Sequence, residues 1–335
     1  MRFYSCIQPP FSLHGLLGRR EEGAFWRLPD EVIDTVSGNV SKIARRASGG
    51  RVRFRTDSPK IVFRMGLKTL EVAQHMPLSG SAGADVFLGQ GAASRYAALI
   101  APEDYTHKTA EITLVTDGAL EQVTVNLPRN EPLDFLQIGV EEEAQLLPPL
   151  PYRYETPIIF YGSSITEGGA ASRPGCAYTS LVCRRLDCDY VNLGFARSAK
   201  GEQAMARFVS AQKMSAFVLD YDHNAPNPTF LAQTHSAFFQ TVREAQPELP
   251  IVLLSRPNFF RDPEDAAARR AVIQKTYENA RRAGDRQVYF VDGESLLAGT
   301  EPSNCTADGI HPNDAGFQRM AEVLTPVLAR ILEQV

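Results

Sequence analysis

The chain lacks any run of eighteen apolar residues, so a helix that spans a membrane is not expected. It also lacks an excess of basic charge. The 35 Lys and Arg against 39 Asp and Glu leave a net charge of -4, which gives no basic face for nucleic acid or another polyanion. The opening residues Met1–Pro10 have neither a long apolar stretch nor a small-residue cleavage site, and do not read as a signal peptide. Cysteine is scarce and unpatterned. The five residues (Cys6, Cys176, Cys183, Cys188, Cys305) are odd in number and show no C-x-x-C pair or Cys/His cluster for zinc. Reduced thiols and a cytoplasmic location are the expectation. The sole tryptophan, Trp26, lies near the start, and there is no internal repeat or low-complexity tract.

What is present divides into two halves. A length of 335 residues favours two domains. Up to about residue 150, short β-like runs alternate with turn residues: Arg51–Thr56, Lys60–Met65, Ala84–Leu88, Glu111–Val115 and Gln122–Leu127. Such a pattern predicts an all-β sandwich or jelly roll over residues 1–150. One helix is expected within Asp30–Arg46, where Val32, Ile33, Val36, Val40 and Ile43 keep helical spacing. Glu141–Glu143 followed by Leu147-Pro148-Pro149-Leu150-Pro151 reads as the interdomain connection. Over residues 151–335 the grammar changes to strands at Ile158–Tyr161, Tyr190–Leu193, Ala216–Asp220, Ile251–Ser255 and Val288–Val291, alternating with amphipathic helices. This predicts an α/β fold with a five-stranded parallel sheet and helices on both faces. Asp314–Leu332 reads as a closing helix kinked at Pro326.

The chemistry falls at the strand ends. The first strand runs into Gly162-Ser163-Ser164, the second into Asn192-Leu193-Gly194, the third into Asp220 through Asn224, and the fourth into Ser255-Arg256-Pro257-Asn258. The loop after the fifth carries Asp308-Gly309-Ile310-His311. In an open parallel sheet these ends share one rim, where a ligand crevice forms. A serine hydroxyl needs a base to become a nucleophile, and His311 supplies one that titrates near neutrality. Asp308, on a tight turn three residues earlier, is placed to fix its tautomer. The N–H groups of Ser164 and Gly194 and the side-chain amide of Asn224 are candidate donors to an oxyanion.

Each piece alone has a plainer reading. Ser164 suits a helix N-cap, Asn224 a turn before Ala225-Pro226, and Asp308 with His311 a lone metal-ligand pair. Together the four blocks favour a serine hydrolase, with no metal or organic cofactor. His223 is an alternative base or a substrate contact. Arg173 and Arg256 are further substrate-binding candidates. His75, His107 and His235 carry no motif and are expected to be structural, and Asp85 to be a turn or interface residue.

The blocks G-S-S-I-T (162–166), N-L-G-F (192–195), D-x-x-x-N (220–224) and D-G-I-H-P (308–312) resemble those of the SGNH (GDSL-type) hydrolase family. That resemblance implies a flavodoxin-like three-layer α/β/α sandwich, with Ser164, Asp308 and His311 as the triad and Ser164, Gly194 and Asn224 forming the oxyanion hole. Ser163 departs from it, standing where the family usually has aspartate, and Asp222 stands where the third block has glycine. The longer string G-S-S-I-T-E-G-G-A-A-S-R-P-G, preceded by G-S-A-G-A-D-V-F (80–87), is similar to a branch with an N-terminal jelly-roll domain. This implies a carbohydrate O-acetylesterase acting on plant-polysaccharide oligomers. A lysophospholipase, thioesterase or arylesterase on the same fold, or a non-catalytic carbohydrate-binding protein, are the alternatives. The expected partner is an acetylated oligosaccharide or another small ester, with neither nucleic acid nor membrane, and a homo-oligomer is compatible. The β domain is read as shaping the cleft in preference to binding glycan.

Overall fold

A computed structural model describes residues 1–334. Alternation along Arg51–Thr56 sends Val52 and Phe54 to one face and Arg51, Arg53 and Arg55 to the other, as strand geometry requires. Two antiparallel sheets form this way. One has the order Arg2–Ser5, Leu133–Val140, Lys60–Leu67, Thr109–Val115. The other has the order Leu146–Leu147, Arg51–Thr56, Glu121–Asn126, Ala84–Leu88, Arg95–Ile100, with Ser12–His14 also paired to Arg51–Thr56. Their apolar faces meet over Phe54, Phe63, Val86, Val125, Leu136 and Ile138, all buried. The result is a β-sandwich.

The expected helix within 30–46 is broken. Asp30–Ile33 and Gly38–Ala44 are separate short helices, interrupted where Ser37 takes an extended ψ of 149°. Their apolar residues Ile33, Val40, Ile43 and Ala44 join the core of the following α/β layer, not that of the sandwich. Packing onto that layer decides their direction, and helical spacing alone could not show it. The proline-rich connection is also held in place. Leu146–Leu147 pairs with Arg51–Thr56, and the Arg55 Nε donates to the Pro148 carbonyl at 2.9 Å.

The second half forms a parallel sheet in the order Cys188–Gly194, Tyr154–Gly162, Ala216–Asp220, Ile251–Leu254, Val288–Val291. This is the flavodoxin-like arrangement, with the first strand of this half second in the sheet. Ile158 and Phe160 face Val182, Phe317 and Leu324 of the helices Tyr178–Leu186 and Asp314–Leu332. Ile159 and Tyr161 face Met205, Leu231, Phe238 and Ile273 of the helices Gln203–Ser210, Pro228–Ala245 and Pro263–Arg282. Helices cover both faces, so the strands are apolar throughout and polar residues collect at their ends.

Arg27 fastens the N-terminal segment to this rim. It is fully buried and bonds the carbonyls of Asn192 (3.1 Å), Gly194 (2.5 Å) and Ile43 (3.0 Å), and the Glu167 carboxylate at 3.1 Å. Among the described residues no helix is long and apolar enough to cross a membrane.

Candidate active site

The strand Tyr154–Gly162 must turn sharply into the short helix Ser164–Glu167. Glycine is required at the turn, because a Cβ on Gly162 would sit 1.9 Å from the Thr166 hydroxyl and 2.2 Å from the Asp220 carbonyl. Ser163, where the resemblance expects aspartate, caps the helix by accepting the Ile165 N–H at 3.1 Å. Ser164 then begins the helix with its own N–H unpaired among the described residues.

The Ser164 hydroxyl lies 2.9 Å from Nε2 of His311, and His311 Nδ1 lies 2.8 Å from Oδ2 of Asp308. The other Asp308 oxygen accepts the backbone N–H groups of His311 (2.8 Å) and Ile310 (2.9 Å). Partial burial acts to raise the pKa of this carboxyl. The three bonds and the neighbouring imidazole outweigh it and bring the value down to about 2. The acid is therefore ionised well below neutral pH. A hydroxyl, an imidazole and a carboxylate in line are the arrangement from which an alkoxide attacks an ester.

One candidate oxyanion donor is engaged elsewhere. The Gly194 N–H is buried and already donates to Oδ1 of Asn192 at 2.9 Å. A Cβ on Gly194 would fall 2.2 Å from the Glu167 nitrogen, so the glycine serves close packing. Along the same loop the N–H groups of Phe195, Ala196, Ser198 and Ala199 also have acceptors. The N–H of Arg197 has none among the described residues, and Arg197 adopts a left-handed φ of 60°. Arg197 thus replaces Gly194 as the open donor of this loop. Asn224 donates one amide hydrogen to the Phe195 carbonyl at 2.9 Å, which ties the third strand end to that loop and leaves its second hydrogen free.

Other candidates separate. Arg173 lies against Asp85 (3.2 Å) and over the Tyr96 ring, at the contact with the sandwich. Asp85 is fully buried there and accepts from Asn126 (2.7 Å) and the Gly175 N–H (3.0 Å). Arg173 is therefore corrected from a substrate contact to an interface residue. Arg256 is also committed elsewhere. Its guanidinium is 2.9 Å from Asp265, and its N–H donates to Asp222 at 3.1 Å. His223 stays beside the site. Burial first, then the Arg256 charge, lower its pKa to about 4, and His311 adds to the effect, so it is neutral near pH 7.

His75 was expected to be structural, yet its ring stacks on His311 at 4.7 Å between centroids and 16° between planes. It arrives on the loop after Lys60–Leu67, which Glu131 holds through the Thr69 hydroxyl (2.6 Å) and the Glu71 N–H (3.2 Å). Burial, then the His311 charge, lower its pKa. His75, Asp308 and His311 bring ligand atoms within 4.8 Å of one another, a third potential ligand that the sequence pairing did not include. Asp308 and His311 are already bonded to each other, and His311 is bonded to Ser164. Spacing could not reveal His75, because the two histidines come from different domains.

Residues 155–329 match the profile of the GDSL-like lipase/acylhydrolase family, and residues 1–146 match that of the N-terminus of SGNH-hydrolase-type esterases. The chain belongs to the GDSL-like acylhydrolases. No curated protein matches it. Among solved structures it is similar to one described as a GDSL-like lipase from Bacteroides ovatus, with 26% identity, a TM-score of 0.87, and coverage of 99% of this chain and 98% of the other. It is also similar to the salicylyl-acyltransferase SsfX3 of a tetracycline biosynthetic pathway (23% identity, TM-score 0.79, coverage 98% and 97%). A third is a family two carbohydrate esterase from Clostridium thermocellum solved with cellohexaose (17% identity, TM-score 0.62, coverage 86% and 94%). The last two establish likeness of fold alone. This GDSL-like acylhydrolase therefore shares its fold with a carbohydrate esterase and an acyltransferase.

Proposed function

We propose that this protein is a serine esterase that removes a short acyl group, acetyl in the first instance, from a carbohydrate hydroxyl. His311 takes the Ser164 proton as the oxygen attacks the ester carbonyl. The N–H groups of Ser164 and Arg197 and the amide of Asn224 stabilise the oxyanion, each donor contributing roughly 3–4 kcal/mol. His311 returns the proton to the leaving sugar oxygen, then activates water to release the acid. The observation that carries the reading is the unbroken Ser164–His311–Asp308 chain at 2.9 and 2.8 Å.

Two observations support the substrate. His75 stacks on the imidazole and His223 lies near it, with Arg197 near His75 and Asn258 beside His223, a polar setting that suits a hydroxylated leaving group better than a long alkyl chain. Proteins of like fold include an acetyl xylan esterase from Butyrivibrio proteoclasticus. The test is mass spectrometry of acetylated oligosaccharides incubated with the wild type and Ser164→Ala, alongside p-nitrophenyl esters of increasing chain length. Loss of one acetyl mass per site with the wild type alone is expected. A preference for chains longer than butyryl, or transfer of the acyl group to an added alcohol in place of water, would refute it.

A further inference from the structure

The arginine face of Arg51–Thr56 is turned towards the parallel-sheet domain, not towards solvent. Arg51 and Arg53 are 3% and 1% exposed. Arg51 is fully engaged. It pairs with Asp189 and bonds the Tyr190 carbonyl (3.0 Å) and the Tyr152 hydroxyl (3.2 Å). Arg53 is not. Among the described residues its guanidinium has no hydrogen bond and no ion pair, and Nε and Nη1 are buried without an acceptor. Its guanidinium carbon lies 3.7 Å from the centroid of the Tyr152 ring. Stacking occupies the face of the guanidinium and leaves its in-plane N–H groups open.

Arg53 lines a partly enclosed cavity of about 40 Å³, together with Arg51, Arg184, Asp187, Asn126 and Ser180. The nearest carboxylates are taken. Asp189 is held by Arg51 and His14, and Asp187 accepts from Gln90 at 2.8 Å and from the Arg153 N–H at 3.3 Å. Arg184 donates to the Gly175 carbonyl at 3.0 Å and lies over the Phe87 ring. Burial, opposed by Tyr152, pushes the Arg53 guanidinium below its ordinary pKa; Arg51 adds to the effect, and the Asp187 and Asp189 charges oppose it without reversing it. A buried charge with unmet donors is costly, and water would satisfy the donors without neutralising the charge. An anion does both. The cavity has room for roughly three water-sized bodies, which limits the ion to a small one.

We propose that this cavity holds one small monovalent anion, a halide or a short carboxylate, on Arg53 at the junction of the sandwich and the parallel-sheet domain. It is separate from Ser164 and His311, neither of which lines it. The carboxylate class includes acetate, the product of the reaction proposed above, but the site does not depend on that reading.

The experiment measures the thermal midpoint of the full chain at fixed ionic strength while bulky gluconate is replaced by chloride or by acetate. The wild-type midpoint is expected to rise by roughly 2 °C per tenfold of the bound anion above half-saturation. Arg53→Met should remove the rise, whereas Arg55→Met, whose guanidinium is on the Pro148 carbonyl, should keep it. A response to chloride alone identifies a halide site, and a response to acetate identifies a carboxylate site. No anion-specific rise in the wild type, or an undiminished rise in Arg53→Met, overturns the proposal. If Arg53→Met does not fold, bromide-soaked wild-type crystals decide by anomalous scattering. A bromide within hydrogen-bond distance of Arg53 supports the site, and its absence there overturns it.

Discussion

His75, from the sandwich, lies flat on His311, from the loop after the last strand of the parallel sheet, with 4.7 Å between ring centroids. The contact holds the His311 ring in the plane from which it reaches both Ser164 and Asp308. An aromatic pair of this kind contributes about 0.5–1.5 kcal/mol, or roughly 2- to 10-fold in kcat/KM if it selects the productive ring orientation. His75→Ala should therefore lower kcat/KM by that factor, and His75→Phe should restore most of it. Steady-state kinetics on a soluble acetyl ester reads both. Equal loss in the two variants would show that stacking is not the contribution His75 makes.

How much of this was readable from sequence depends on range. Ser164 and the Asp308–His311 turn are local motifs at strand ends, where apolar runs stop and glycines begin, so their register was legible. The sheet was legible for the same reason, since strands buried on both faces read as unbroken apolar runs. His75 was hidden because the loop carrying it is placed by Glu131, on a different strand connection. Arg197 was hidden because left-handed backbone at a non-glycine residue has no residue-type signal. The break at Thr35–Ser37 was hidden because the surface that Ile33 and Ile43 cover belongs to the other domain.

The low pKa of Asp308 makes a statement about pH. At about 2 it lies below the ordinary aspartate value of 3.8, so the ionised acid is favoured by the fold. Its contribution to stability is present above pH 3.8 and is lost as pH falls towards 2. Asp308 should therefore stay charged at every pH well above 2. The acid limb of kcat/KM against pH should then fit a single ionisation, none of it belonging to Asp308. Asp308→Asn should lower kcat on the order of 10³–10⁴-fold by presenting the wrong partner to Nδ1. A second ionisation in the acid limb of the wild type would contradict the assignment.

Arg27 and Glu167 form a buried ion pair, 0% and 3% exposed, beneath the loop that presents Arg197. Glu167 also accepts the Ala196 N–H at 3.0 Å. Removing one partner strands the other charge, which typically costs about 3–5 kcal/mol. Arg27→Met should destabilise the chain by that amount in urea unfolding. The double variant Arg27→Met with Glu167→Gln should recover part of the loss, since neither member of this pair is left without the other. If the double variant falls by the sum of the two single changes, the pair is not coupled.

Asp220 lies under the turn that presents Ser164. Its carboxylate accepts the hydroxyls of Thr166 (2.8 Å) and Tyr178 (2.9 Å), both through Oδ2. Full burial, then the neighbouring Asp222, push its pKa up to about 8, against the lowering effect of the two hydroxyls. The folded chain thus binds a proton that the unfolded chain releases near 3.8. Where the folded state binds more protons, stability falls as pH rises. The loss begins above pH 3.8 and continues to about 8, where the folded state also ionises. Asp220→Asn keeps an oxygen for both hydroxyls and removes the titration. Its urea midpoint should change less than that of the wild type between pH 5.5 and 8, and at pH 8 should equal or exceed it. A wild-type midpoint that rises over that interval, with the variant unchanged, would mean that the carboxylate is held ionised.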